Sequence, residues 1–129
     1  MAKISDAALT ITQNANGTSR AVVRCKVTFT PYEMNQMKAG LRLRLKAELW
    51  GDDAWALGGD DKVYTYTPIK YFPDAAPTTT ETITFDTILG EGVLDEDIGR
   101  DEIYGRLTLV NLYTMVTASA KTNTINRHF

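Results

Sequence analysis

Asp95, Asp97 and Asp101 form a D-x-D-x-G-x-D array within residues 90–102. Carboxylates spaced this way on a short loop are the ligand type that hard divalent cations prefer. Two further acidic pairs, Asp52-Asp53 and Asp60-Asp61, follow the apolar run that ends at Trp50. If these loops share one end of a domain, their mutual repulsion favours a bound cation, and calcium is the ion expected. Asp95, Asp97 and Asp101 are then the candidate ligands, with Asp52 and Asp53 contributing from a second loop. The array is not an EF-hand. Gly99 stands where an oxygen ligand is needed, Arg100 where the glycine is needed, and Arg106 where the closing glutamate falls. The alternative is a solvated acidic turn that holds no ion.

Other chemistries find few of their parts. The single histidine, His128, lies one residue from the end of the sequence, where a general base is expected to be poorly held. Nucleophilic serine or cysteine would lack its usual base. One cysteine and one histidine serve zinc badly, and neither GxxxxGK[ST] nor GxGxxG occurs to cradle a phosphate. Paired glycosidase carboxylates need a cleft and one raised pKa, which a string of loop acids does not supply. The expectation is a protein that is not an enzyme and carries no cofactor unless calcium. Cys25 sits within an alternating apolar run and reads as core filler.

Binding groups are more plentiful. Arg20, Arg24 and Lys26 alternate along one segment, and Arg42, Arg44 and Lys46 along another, so each presents a row of positive charge on one face of a strand. As neighbours the two strands would make one six-cation patch; in different sheets they would make two smaller ones. Trp50, Trp55, Tyr64, Tyr66, Tyr71 and Phe72 gather around residues 51–61 and the segment that follows. Tryptophan and tyrosine are favoured contact residues. Arg24, Lys26, Arg42, Arg44, Lys46, Trp50 and Trp55 are accordingly the candidate interaction residues.

The elements that must position these groups follow from a period of two. Over 20–30, Ala21, Val23, Cys25, Val27 and Phe29 alternate with a mostly polar set, and over 41–50 Leu41, Leu43, Leu45, Ala47 and Leu49 alternate with Arg42, Arg44, Lys46, Glu48 and Trp50. Two opposite faces of this purity cannot be drawn on a helix of 3.6 residues per turn, despite the leucines. Further strands are predicted over 8–13, 62–67, 80–86, 102–110 and 115–121, with 69–72 a shorter one. Separators at 14–17, 58–60, 73–77 and 90–92 carry turn chemistry. Thr30, Pro31 and Glu33 make a capping box for one short helix that ends at Gly40, with Met34 and Met37 plugging one end of the domain. Residues 122–129 read as a polar tail that frays or adds to a neighbouring subunit.

With 129 residues, 43% of them apolar, and a net charge of −2, the chain fits a single domain spanning 1–129. That charge makes nucleic acid an unlikely partner. The first residues carry no apolar run of signal-peptide length and no apolar run of membrane-spanning length occurs, so neither a signal peptide nor a transmembrane segment is expected, and a cytoplasmic location or a place within a particle is. The fold class is all-β: an antiparallel two-sheet Greek-key sandwich of seven or eight strands with one short connecting helix, immunoglobulin-like in the first instance.

The segment Leu94-Asp95-Glu96-Asp97, followed by Asp101-Glu102-Ile103-Tyr104-Gly105-Arg106-Leu107, resembles the C2-domain signature of an Asp-x-Asp loop, an acidic pair, two apolar residues and glycine. In that family an alternating strand leads directly into Asp-x-Asp, a place that Gly90-Glu91-Gly92 occupies here. The resemblance implies a C2-like sandwich that binds calcium through Asp95, Asp97 and Asp101 and then engages anionic lipid. Taken together, the residues favour a non-enzymatic structural or adaptor subunit of a larger protein assembly, joined to copies of itself or to other subunits through basic strand faces, acidic loops and exposed aromatics. The alternatives are the C2-like calcium-dependent lipid-binding module, in which the membrane becomes a partner, and a carbohydrate-binding sandwich.

Overall fold

A computed structural model describes residues 1–51, 61–74, 78–94 and 101–127. The elements run β1 (Lys3–Gln13), β2 (Thr18–Thr28), α1 (Pro31–Lys38), β3 (Leu43–Gly51), β4 (Asp61–Thr65), β5 (Lys70–Phe72), β6 (Thr80–Gly90), α2 (Glu91–Leu94), β7 (Asp101–Asn111) and β8 (Thr117–Arg127). Among the described residues these strands make two antiparallel sheets, β1-β2-β6 and β4-β3-β7-β8, with β5 pairing β3 alongside β4. Three connections, β2–β3, β5–β6 and β6–β7, pass from one sheet to the other, and the result is the antiparallel two-sheet sandwich expected.

The alternating runs explain why two sheets face each other. Ala21, Val23, Cys25 and Val27 of β2 are fully buried, as are Leu43, Leu45, Ala47 and Leu49 of β3, so the centre of each sheet turns an apolar row toward the other. Ile103, Leu107 and Leu109 of β7 complete the row on the second sheet. Phe29 meets Phe72 edge to face at 5.1 Å between ring centroids. One polar tie crosses the core: the Tyr66 hydroxyl donates to the Ala21 carbonyl at 2.9 Å, satisfying a buried phenol. Cys25 is core filler, and burial pushes its thiol pKa up to about 11.

The capping box forms as read. Thr30 N–H donates to Glu33 Oε1 at 3.0 Å and Glu33 N–H donates to Thr30 Oγ1 at 3.1 Å, with Pro31 opening α1. Glu33 is buried because its other oxygen accepts from the Ala2 N–H at 3.0 Å, which fixes the first residues against the helix. Met37 is buried and Met34 half-buried, closing that end of the core. Gly40 then leaves the helix at φ +109°, a conformation that suits glycine.

Four readings change. Residues 90–92, predicted as a turn, are the end of β6 and the start of α2; β6 runs past Asp86 because Thr87 and Leu89 keep the alternation toward the core. Met115, predicted to open a strand, lies in the β7–β8 turn at φ 60°, and β8 begins at Thr117. Residues 122–127 of the supposed tail are the second half of β8, where Thr122 is buried with its hydroxyl accepting from Gly105 N–H at 2.7 Å. Tyr66 and Phe72, grouped with the contact aromatics, are core residues.

Candidate interaction surfaces

The two basic rows are in opposite sheets and do not form one patch. On the first sheet the outer face of β2 carries Arg20, Arg24 and Lys26. Two of the three are matched from the same chain: Arg20 Nε donates to Asp86 Oδ1 at 3.0 Å, and Lys26 Nζ lies 3.5 Å from Asp6 Oδ2. Asp6 reaches this position from a bulge in β1, where its φ is 51°. Arg20 holds the Asp86 pKa below the ordinary carboxylate value, chiefly through their hydrogen bond. Arg24 has no ion pair among the described residues.

On the second sheet the row is broken by its own acid. Lys46 of β3 and Lys62 of β4 both stand 3.9 Å from Glu48 Oε2, and Glu48 is buried between them. Beyond it lies a cation–aromatic ladder. The Arg106 guanidinium sits 4.3 Å over the Trp50 ring, and Lys121 Nζ sits 4.0 Å over the Tyr104 ring. Trp50 is therefore half-buried under arginine, not displayed to solvent. Arg44 is half-buried, paired in register with Val110 on one side and Tyr71 on the other. Arg42 is exposed and precedes β3; its carbonyl accepts from Leu112 N–H at 3.0 Å.

The acidic loops give no geometry to weigh. Asp52, Asp53, Trp55, Asp60, Asp95 and Asp97 lie outside the described residues, as does His128, and Asp101 is the first residue of β7. Among the described residues no group of three or more His, Cys, Asp or Glu is placed to hold a metal ion.

The strongest surface feature is one that the sequence reading passed over. At the pole closed by α1, Tyr32 (71% exposed), Tyr113 (61%), Met115 (63%) and Val116 (51%) project into solvent. Together with Met1 and Leu41, three of these side chains (Tyr32, Tyr113, Val116) line a cavity of about 280 Å³. The β7–β8 turn holds its apolar residues outward because Asn111 organises it: Asn111 Oδ1 accepts from Tyr113 N–H at 2.9 Å and from Thr114 N–H at 3.1 Å. Gly40 allows the approach of Tyr113, whose hydroxyl would lie 3.0 Å from a Cβ at that position. The available signal was composition, since Leu112-Tyr113-Thr114-Met115-Val116 is too apolar for an ordinary solvated turn.

No helix among the described residues is long and apolar enough to cross a membrane. No protein-family model matches the chain, and a search of curated proteins returns no match.

Proposed function

We propose that this sandwich is a non-enzymatic subunit of a protein assembly, in contact with neighbouring subunits through its apolar pole. The observation that carries this reading is the convergence of Tyr32, Tyr113, Met115 and Val116 on one end of a domain whose core is already filled. Exposed aromatic and methionine side chains grouped around a concavity are what interface centres are made of. The basic rows are secondary, because Arg20, Lys26 and Lys46, half of their six cations, already pair with carboxylates of the same chain, and such exposed charges contribute more to solubility than to contact energy.

Sedimentation velocity over a hundredfold concentration range tests it, in chelator, at low and moderate salt. Association that persists or strengthens with salt, and that Tyr32→Ser with Tyr113→Ser weakens at least tenfold, is the expected outcome. Association that salt suppresses and the pole variant leaves unchanged would return the weight to the charged faces. A different sedimentation pattern when the run is repeated with calcium in place of the chelator would favour the C2-like alternative.

A further inference from the structure

The four sheet edges are not treated alike. The outer edge of β1 is closed by β8, where the Asn123 side chain pairs with both backbone groups of Leu9. The edge beside β3 is split into β4 and β5, five and three residues long, with Pro68 between them. Short strands, proline and side-chain covers are the usual protection against strand addition. β6 runs eleven residues, Thr80–Gly90, with no proline of its own; the Thr67–Lys70 segment stands across a cavity of about 340 Å³ from Ile83–Asp86, Thr87 Oγ1 donates to the Tyr64 hydroxyl at 3.2 Å, and no strand among the described residues pairs with the outer edge of β6.

The register says which groups are open. Phe29 N–H donates to Thr79 carbonyl at 2.8 Å, and bonded residues recur at every second position of an antiparallel ladder, so the odd residues of β6 bond to β2. The even residues Thr80, Thr82, Thr84, Asp86 and Ile88 turn their N–H and C=O groups to the open edge. Ile88 is 64% exposed there, and Ile83, Phe85 and Leu89 each retain 7–9% exposure, where the facing residues of β2 retain none.

We infer that β6 pairs antiparallel with β6 of a second copy, about a two-fold axis at Phe85, to make one continuous six-stranded sheet. This inference rests on the assembly reading above. Centring on Phe85 is the register that pairs all eleven residues. It sets Asp86 opposite the partner's Thr84, and Ile88 opposite the partner's Thr82. Thr84 is bordered on its other side by Arg24 in the β2–β6 ladder. The partner's Asp86, which Arg20 of its own copy also holds, therefore comes two strand spacings, about 10 Å between Cα atoms, from Arg24, the cation on β2 with no ion pair among the described residues. Centring on Asp86 would instead oppose two aspartates. The strand itself, alternating threonine with Ile83, Phe85 and Leu89, has the β propensity that a strand-adding partner needs.

Thr84→Pro tests the pairing directly. Its N–H faces the edge and not β2, so proline removes a contact donor without breaking the internal ladder; Thr84→Lys is the second variant, which keeps the N–H and places charge on the edge. Edge pairing is isologous and stops at two copies, so species larger than a dimer report on the pole. In sedimentation velocity the parent chain should show a monomer–dimer step. Both Thr84 variants should weaken that step at least tenfold with unchanged circular dichroism, and the Tyr32/Tyr113 variant should keep it. A parent chain that is monomeric throughout overturns the inference. A dimer insensitive to both Thr84 variants also overturns it, while leaving association through the pole standing if the Tyr32/Tyr113 variant abolishes that dimer.

Discussion

Asn123 and Leu9, 114 residues apart, are joined as though by a strand. The Asn123 carboxamide accepts from Leu9 N–H at 2.8 Å and donates to Leu9 carbonyl at 3.0 Å. One side chain thus supplies the donor and acceptor that a neighbouring backbone would, and fastens the edge of one sheet to the edge of the other. Asn123→Ala leaves both Leu9 groups without their partner. The expected cost is about 2–3 kcal/mol in urea unfolding, with faster amide exchange at Leu9. Asn123→Asp, which retains only the acceptor, should fall between.

Gly105 sits where the β7–β8 register slips. A Cβ there would lie 2.9 Å from Thr122 Cγ2 and 3.1 Å from Val23 Cγ2. Gly105→Ala is expected to destabilise by about 1–3 kcal/mol through overpacking. Pairing it with Thr122→Ser, which removes the methyl in the way, should recover part of that loss in a double-mutant cycle.

Glu81 gives the fold a pH dependence of definite sign. It is half-buried at the start of β6, and one of its oxygens is shielded from solvent with no hydrogen-bond partner among the described residues. Burial first, then the hydrogen bond and charge of Asp74, push its pKa up to about 7, against the opposing effect of Lys70. The folded chain therefore binds more protons than the unfolded one between about pH 4.5 and 7. Stability from this group is complete below that window and lost as pH rises through 7. Thermal unfolding should show Tm falling across the interval, and Glu81→Gln should flatten that fall.

Asn111→Ala should loosen the β7–β8 turn, because two backbone N–H groups lose their acceptor. A loss of about 1–2 kcal/mol is expected. Self-association through the pole should weaken along with it, since Tyr113 and Val116 are no longer held in place.

The Cys25 thiol is fully buried. In the native protein it should resist a thiol reagent at pH 8, and react at the rate of a free cysteine once denaturant unfolds the chain. Native-state labelling as fast as denatured-state labelling would contradict the packing of β2.

What could be read from the sequence was what a single strand decides for itself. The alternation in β2 and β3 names their buried residues because one sheet face must leave water, and Thr30 with Glu33 names its helix start because both partners of the box are local. What could not be read depended on distant partners. Tyr66 lies just beyond β4, and its place in the core is set by a carbonyl on β2. The two basic rows look alike in sequence, yet Asp86 and Asp6 pair with Arg20 and Lys26 of one, while Glu48 pairs with Lys46 of the other. The apolar pole was hidden for a third reason, since Met115 and Val116 have the composition of a strand while Asn111 bends them into a turn.

The bond between Asn123 and Leu9 also sets an order of events in time. β1 and β2 leave the ribosome before β8, as a hairpin whose Leu9 edge has no partner among the described residues until residue 123 has been made. The 114 residues that separate Leu9 from Asn123 must be synthesised before that early edge is shielded, and closing so long a loop is slow relative to forming the hairpin. The nascent protein therefore passes through a stage in which its first strand can be captured by a chaperone or by another nascent chain. That stage ends at Leu9 when a single carboxamide takes the place of a strand.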